Sequence, residues 1–551
     1  MPLFRTTHLS RARVVASAIT ITLLLAHSPS SAAEESTPKD LELVTIGIFD
    51  GGPEWGGGAE IVAFDAASQR LFAANINGTL DIVNLSNPAR PKRIQTIDMV
   101  ATYGWGNAKG VASHHGLVAV ALDGRPKTDP GRVAFFDAAT LKLLGNVEVG
   151  ARPDSLTFSP DGKYVVTTNE GTPDSYGLAN SADSEGSVSV IDVSITKPSF
   201  KPQARIADFR AYNGREDELR RQGIRIFGPN ASAAQDLEPE SVAVSKDSKT
   251  AYVTLQENNA IAIVDLASAK VTAIKPLGIK DHNFSGMGLD PSDQDGADGG
   301  PKIQIKPYPV FGMYQPDGIA SYTVNGKRYI VTANEGDSRA DWPGYSDETR
   351  VKDHCTKGLD PAVFGEEAKN LIKNSQLGRL RVTTDPFGGN INTGKNAEGL
   401  CTALYAFGAR SFSIWNENIE QVFDSGDDFE QKTKALPNVR FNASHDNNKL
   451  DGRSPAKGPE PEGVTIGQIG KKFFAFIGLE RVSGIMVYDI TNPKAPIFVT
   501  YYNDRQGESG DRGPEGMVFV PASKSPNGKP LLLVANEVSG TASILQINLS
   551  Y

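Results

Sequence analysis

The sequence is short of the residues on which much familiar chemistry rests. Two cysteines occur in 551 residues, Cys355 and Cys401. Neither has a partner histidine or a helix start that would make it a nucleophile. No HExxH, GxSxG, P-loop or GxGxxG fingerprint appears, so zincin, α/β-hydrolase, nucleotide and dinucleotide chemistry lose their sequence support. Basic charge is in deficit, with 56 Lys and Arg against 65 Asp and Glu. That balance disfavours nucleic acid and anionic membranes as partners and suits cations. Beyond the first 33 residues no apolar run is long enough to span a bilayer.

What is present begins with an export signal. Arg5, Arg11 and Arg13 precede a 13-residue apolar core, Val14 to Ala26, and Ser31-Ala32-Ala33 offers small residues for cleavage. Residues 1–33 read as a signal peptide, and no cysteine follows the core to take a lipid. Its removal takes the net charge from −9 to −12. The rest, 34–551, is expected to be one exported domain, periplasmic or secreted, free of a membrane span, without an anchor after Ser550, and monomeric. In an oxidising compartment Cys355 and Cys401 suit a disulfide, although two unrelated buried thiols would also account for them. With 39% hydrophobic and 22% charged residues the chain should fold, and 55 Gly with 34 Pro favour many turns and hence strands.

A motif repeats through the chain. YIVTANEGDSR (Tyr329 to Arg339) is an apolar, β-branched run that ends in Asn334, Glu335 and Gly336. YVVTTNEG (Tyr164 to Gly171), LLLVANE (Leu531 to Glu537), AYVTLQE (Ala251 to Glu257), FFAFIGLE (Phe473 to Glu480), LVAVALD (Leu117 to Asp123) and LFAAN (Leu71 to Asn75) are further copies. Each follows a short strand such as RPDSLTF, EPESVAV, QPDGIAS, EPEGVTI or GPEGMVFV, and precedes a third such as GSVSVID or RSFSIWN. A fourth strand follows six copies, and LELVTIGIF (Leu41 to Phe49) is available to the seventh. The pattern predicts an all-β fold, a seven-bladed β-propeller closed by the N-terminal strand. Its blades are expected at about 57–98, 107–149, 152–209, 238–276, 315–425, 460–503 and 513–549 plus 41–49. LRVTTD and CTALYAFG read as a hairpin within a large insertion, 336–410, in blade five.

Long connections fall between second and third strands or between blades, at 172–185, 210–237, 276–315, 336–410, 426–459 and 503–513. Propeller geometry places these on one face, which becomes a cap. The segment from Asn213 to Glu216 resembles a capping box ahead of a short helix, DELRRQ. The starts of first strands and the ends of second strands meet at the capped face. That collects Glu60, Asp154, Glu240, Asp317, Glu462 and Glu515 with Glu170, Glu257, Asn334, Glu335, Glu480 and Glu537. Converging carboxylates bind cations or raise one another's pKa values, and calcium is the simplest relief. Alternatively each accepts backbone N–H bonds in its turn. A second run, LDPSDQDGADGG, places Asp290, Asp293, Asp295 and Asp298 around Gly296. It suits a wrapped calcium or a solvated acidic loop, and lacks EF-hand spacing. His282, His354 and His445 lie in cap loops with no assignable partner, while His114 and His115 fall at a tight turn on the other face. Trp55, Trp105 and Trp342 lie near the cap.

Several of these stretches resemble one family. GGAEIVAFD, IFGP with DLEPESVAVS, GLDPSDQDG, TANEGDSR, LYAFGARSFSIWN with FDSGDDFE, and GPEPEGV are similar to the choice-of-anchor I family, over essentially the whole mature chain. The resemblance implies an exported propeller, in some relatives labelled alkaline phosphatase, and it carries no catalytic residue across. The expected function is therefore a surface or periplasmic module binding a divalent cation, a small molecule or a cell-surface ligand at the acidic mouth. The alternative is a calcium-dependent phosphoesterase, alkaline-phosphatase-like or phytase-like. Calcium held by the ring would then polarise phosphate and activate water, Arg339 would steady the oxyanion, and Glu335, Asp337 and Arg339 are the candidate catalytic residues.

Overall fold

A computed structural model describes residues 40–52, 58–176, 178–193, 200–340 and 342–550. The expected signal peptide and Trp55 lie outside these residues. Strand dominates, and the architecture is all-β and propeller-like. Among the described residues, seven four-stranded antiparallel sheets cover 59–98, 108–151, 153–208, 239–276, 319–424, 461–502 and 514–550 with Asp40–Asp50. In the first six, order in the sheet follows order in the chain. In the seventh, Asp40–Asp50 pairs outside Thr541–Ser550, with Asp40 opposite Ser550 and Asp50 opposite Thr541.

Residue type explains the layering. Second strands are apolar on both faces, and all six residues of Leu117–Leu122 are buried. Fourth strands face water, as the five exposed residues that open Lys92–Asp98 illustrate. The sheets therefore bury their inner strands against each other face to face. Val166, Val188 and Val190 of the third sheet, for example, share a core with Val253, Ala262 and Val264 of the fourth. Tight turns hold the hairpins. Asn325 and Gly326 both take left-handed φ, 51° and 74°, as a two-residue hairpin turn demands.

Neighbouring first strands lie side by side: Ala59–Asp65 with Ala108–His114, that strand with Pro153–Phe158, and so on to Pro514–Val520, which packs against Ala59–Asp65. Glycine permits this approach. A Cβ on Gly110 would stand 2.3 Å from the Asp154 carbonyl, one on Gly318 2.4 Å from Glu462 O, and one on Gly463 2.1 Å from Glu515 O.

A further five-stranded sheet joins two connections, in the order Ile279–Asp281, Phe311–Met313, Tyr405–Ala406, Arg381–Thr383, Glu348–Arg350. The expected hairpin is one part of it, with Val382 opposite Ala406. Cys355 and Cys401 are disulfide-bonded, 5.7 Å apart at Cα, in the hydrophobic core beneath this sheet with Leu377, Leu380 and Val382. The helix Glu216–Gln222 forms, but its N-cap is Arg215, without a side-chain cap bond. The capping box belongs instead to Ser232 and Gln235, because Asn213 is spent on the Ala234 N–H. Among the described residues no helix is long and apolar enough to cross a membrane.

Candidate functional site

The mouth is built from a recurring irregularity. In six sheets the register between first and second strands slips where the first strand begins, as between Pro153 and Leu156, Pro239 and Val242, Pro461 and Val464, and Pro514 and Met517. A bulge re-aims side chains away from the ladder. The residue it releases is Glu60, Lys109, Asp154, Glu240, Glu462 or Glu515, and Asp317 holds the same place two residues before Ile319–Val324. Six positions are acidic, and Lys109 interrupts them.

Carboxylates from second-strand ends meet this ring. Asp154, Glu170 and Glu240 bring one oxygen each within 4.8 Å of one another, as do Asp317, Glu335 and Glu462. Glu335, Glu460 and Glu480 form a third trio, and His445, Glu480 and Glu537 a fourth group. Glu257 joins the mouth with a buried Oε2 that has no hydrogen-bond partner.

Basic side chains divide the mouth into two arcs. On one side Lys109 lies 3.3 Å from Glu60 and Arg152 3.4 Å from Glu170. Opposite, Lys457 reaches Glu335 at 2.5 Å and Glu460 at 3.3 Å. Arg481 lies 3.0 Å from Glu460 and 3.1 Å from Glu480, and Arg453 2.6 Å from Glu460. Burial alone would raise the Glu460 carboxyl, but Arg453, Arg481 and Lys457 hold it well below the usual range. The same contest leaves Glu480 lowered, by Arg481 and His445.

Between these basic groups runs a different arc. Burial, then Glu170, Asp317 and Asp154, hold the Glu240 carboxyl well above its ordinary value. Burial, then Glu335 and Glu515, do so for Glu462, and burial, then Glu537 and Asp317, for Glu515. Glu537 is pushed up to about 8 by burial, Glu480 and Glu60. Glu462 Oε2 is buried with no hydrogen-bond partner.

Other residues expected at the mouth serve elsewhere. Asn334 stitches its own sheet, donating from Nδ2 to Ser411 Oγ at 3.2 Å and Ser413 Oγ at 2.9 Å. Asn169 and Asn536 do the same to the paired hydroxyls of their third strands. Arg339 does not join Glu335 and Asp337. The chain turns at Gly336, φ 88°, leaving Asp337 exposed while Arg339 is buried against Asp236 at 2.5 Å, Glu238 at 3.1 Å and the Phe227 ring. An oxyanion has no access to it. The four aspartates of 290–298 do not close on one another. Asp290 accepts from Gln304 N, Asp293 pairs with Arg379, Asp295 accepts from Lys302 N, and Asp298 is exposed.

Of the cap histidines only His445 reaches the mouth, 3.2 Å from Glu480 and touching Arg481. His282 is buried, its Nδ1 2.6 Å from Met287 O. His354 is lowered to about 4 by burial and Lys395. His114 and His115 meet edge to face at their turn, and Trp105 stacks on Tyr103.

Above the basic arc lies a cleft of about 660 Å³ whose walls include Trp342, Asp337, Arg381, Arg453, Lys457 and Arg481. Sequence reasoning missed its cations, and also Glu460. The doubled acid of EPEG and the lysine in AKG, where other copies have Asp or Glu, were the available signals.

Fold and mouth together define a propeller-like protein with an acidic, partly neutralised opening. The chain belongs to the choice-of-anchor I domain family, whose match covers residues 60–493. It is 27% identical to Gigasin-3a of Magallana gigas over 197 residues, 32% of this chain and 67% of that protein. It is 25% identical to the mesenchyme-specific cell surface glycoprotein of Strongylocentrotus purpuratus over 340 residues, 54% of this chain and 42% of that protein's length. Among solved structures, Kuenenia stuttgartiensis hydrazine synthase aligns at TM-score 0.45 and 14% identity, covering 89% of this chain and 95% of the other.

Proposed function

We propose that the chain is an exported, seven-bladed binding module that holds a divalent cation, calcium by its oxygen donors, in the arc Glu240, Asp317, Glu462 and Glu515. Circular closure is supported by the packing of Pro514–Val520 on Ala59–Asp65 and by the N-terminal strand in the seventh sheet. Export is supported by the disulfide and by the likeness to a cell-surface glycoprotein. One observation carries the cation reading. These carboxylates face one another, Glu462 with a buried unpartnered oxygen, while the Lys and Arg at the mouth are engaged on other acids. Like charges so arranged either take up protons or bind a cation.

Calcium titration of chelator-treated protein checks this. Wild type should gain thermal stability with calcium, and Glu462→Gln with Glu515→Gln should lose most of that gain. An unchanged calcium response in the double variant would sink the assignment.

The cleft favours a second reading, a metal-dependent phosphoesterase, because Arg381, Arg453, Lys457 and Arg481 supply the positive charge that an acidic mouth alone withholds from phosphate. Turnover of a generic phosphomonoester that needs calcium and is lost in Lys457→Met would establish it. Calcium binding without turnover leaves the binding module.

A further inference from the structure

The cleft above the basic arc is walled by parts of the chain that lie outside the repeat. Trp342, Glu348 and Arg381 come from the insertion in the fifth sheet, Arg453 from the connection after it, and Arg481 from the turn after Lys472–Leu479. Fixed contacts set the three arginines. Glu460, fully buried, accepts from Arg453 Nε at 2.8 Å on one oxygen and from Arg481 Nε at 3.0 Å on the other. One carboxylate thus holds two guanidinium groups side by side. Arg381 N donates to Pro455 O at 2.9 Å and Arg381 Nη1 to Glu348 at 2.7 Å, which ties the third arginine to the segment carrying Arg453.

Each arginine keeps an unused edge. Among the described residues Arg453 Nη1, Arg481 Nη2 and Arg381 Nη2 have no hydrogen-bond partner, and all three side chains are partly exposed in the wall. The same wall holds acceptors, since Asp337 is exposed and Glu348 is engaged only by Arg381 and Ser338. Half-buried Trp342 is braced nearly at right angles by Tyr176, with ring centroids 6.2 Å apart. A volume of about 660 Å³ is that of a small-molecule site.

This mixture narrows the ligand. The cations of the wall already meet Asp337 and Glu348, with Glu460 and Glu480 behind. What they retain is directed N–H donors rather than surplus charge, which suits a singly charged, planar carboxylate. A bare phosphate offers no donor to Glu348 and nothing to the indole. A pyranose offers both, hydroxyls to the acids and a C–H face to the aromatic ring.

We propose that the cleft recognises a sugar bearing a carboxylate, a uronic or sialic acid residue of a glycan. The arginine edges supply donors to the carboxylate, Asp337 and Glu348 accept from ring hydroxyls, and Trp342 covers one face of the ring. The site needs neither calcium nor turnover. Chelator-treated full chain, labelled and applied to an array of uronate-bearing, sialylated, sulfated, phosphorylated and neutral glycans, tests it. Carboxylated glycans should be retained, and the class retained identifies the source. In calorimetry the methyl ester of the retained sugar acid should bind at least about tenfold more weakly than the acid, through loss of charge-assisted hydrogen bonds. Arg381→Gln and Trp342→Ala should each weaken binding of the acid by about as much. Retention of no carboxylated glycan overturns the proposal, as does an ester bound as tightly as its acid, or undiminished binding in both variants. Preference for phosphorylated glycans also overturns it and favours the phosphoesterase reading. With chelator present throughout, failure here leaves the calcium assignment standing on its own titration.

Discussion

The two arcs of the mouth carry the same kind of carboxylate and differ in what stands beside it. Around Glu460 three basic side chains converge on one acid, and the carboxyl is held low. Around Glu515 burial acts first and the leading neighbours, Glu537, Asp317, Glu60 and Glu480, are all acids, and the carboxyl is held high. Glu460 stands two positions before Glu462, the counterpart of Glu515 in the repeat, so carboxylates that are near neighbours in the repeat acquire opposite electrostatic character from residues that the repeat does not specify. The paired arc should be rigid scaffold and the unpaired arc the responsive one, since charge without a partner is what a ligand can relieve.

The largest expected effect comes from breaking the paired arc. Glu460→Gln leaves Arg453, Lys457 and Arg481 facing one another without their shared acid. Removing one member of a buried ion network costs about 3–5 kcal/mol, and denaturant unfolding should register a loss of that order. A loss below about 1 kcal/mol would show that the pairing is ornamental.

A smaller effect of opposite sign is expected from the other arc. Glu515→Gln removes an acid that burial, Glu537 and Asp317 disfavour as a charge. In metal-free protein at about pH 9 the variant should be more stable by on the order of 1 kcal/mol. The difference should shrink as pH is lowered and a proton comes to do the same work. Destabilisation at every pH would erase the distinction between the arcs.

The sheets were legible because the strand period and the seven motif copies recur at matched places in the chain. The acidic ring was legible for the same reason, since a bulge at the start of six first strands presents the same position to the mouth and Asp317 holds that place in the remaining sheet. Residues outside the repeat were not. Lys457 and Arg453 arrive from a connection with no periodic signal, and Arg339 turns inward because Asp236 and Glu238 await it there. Asn334 shared a motif with Glu335 but not a destination. Its partners are the Ser411 and Ser413 hydroxyls across the hairpin, a pairing written in the third strand rather than in the motif itself. The five-stranded sheet escaped because its strands are two or three residues long and drawn from distant segments.

The smallest effect, and the one that reads both arcs at once, is the pH dependence of metal-free stability. Glu537 and Glu257 are raised to about 8 and about 7, each by burial first. Unfolded glutamates titrate near 4.5. Between those values the folded chain holds protons that the unfolded chain has released, so stability rises as pH is lowered from about 9 toward about 6. The gain is fully present below the unfolded value and is lost as pH climbs through 7 and 8. Glu460 and Glu480 work the other way. Their carboxyls are depressed, so the stability they contribute is present above about 4.5 and is lost as acid protonates them. Thermal unfolding in chelator should therefore trace a maximum on the acid side of neutrality, and saturating calcium should flatten its alkaline limb by filling the unpaired arc. A curve that keeps its alkaline slope in calcium would mean that protons, not cations, are what those carboxylates were arranged to hold.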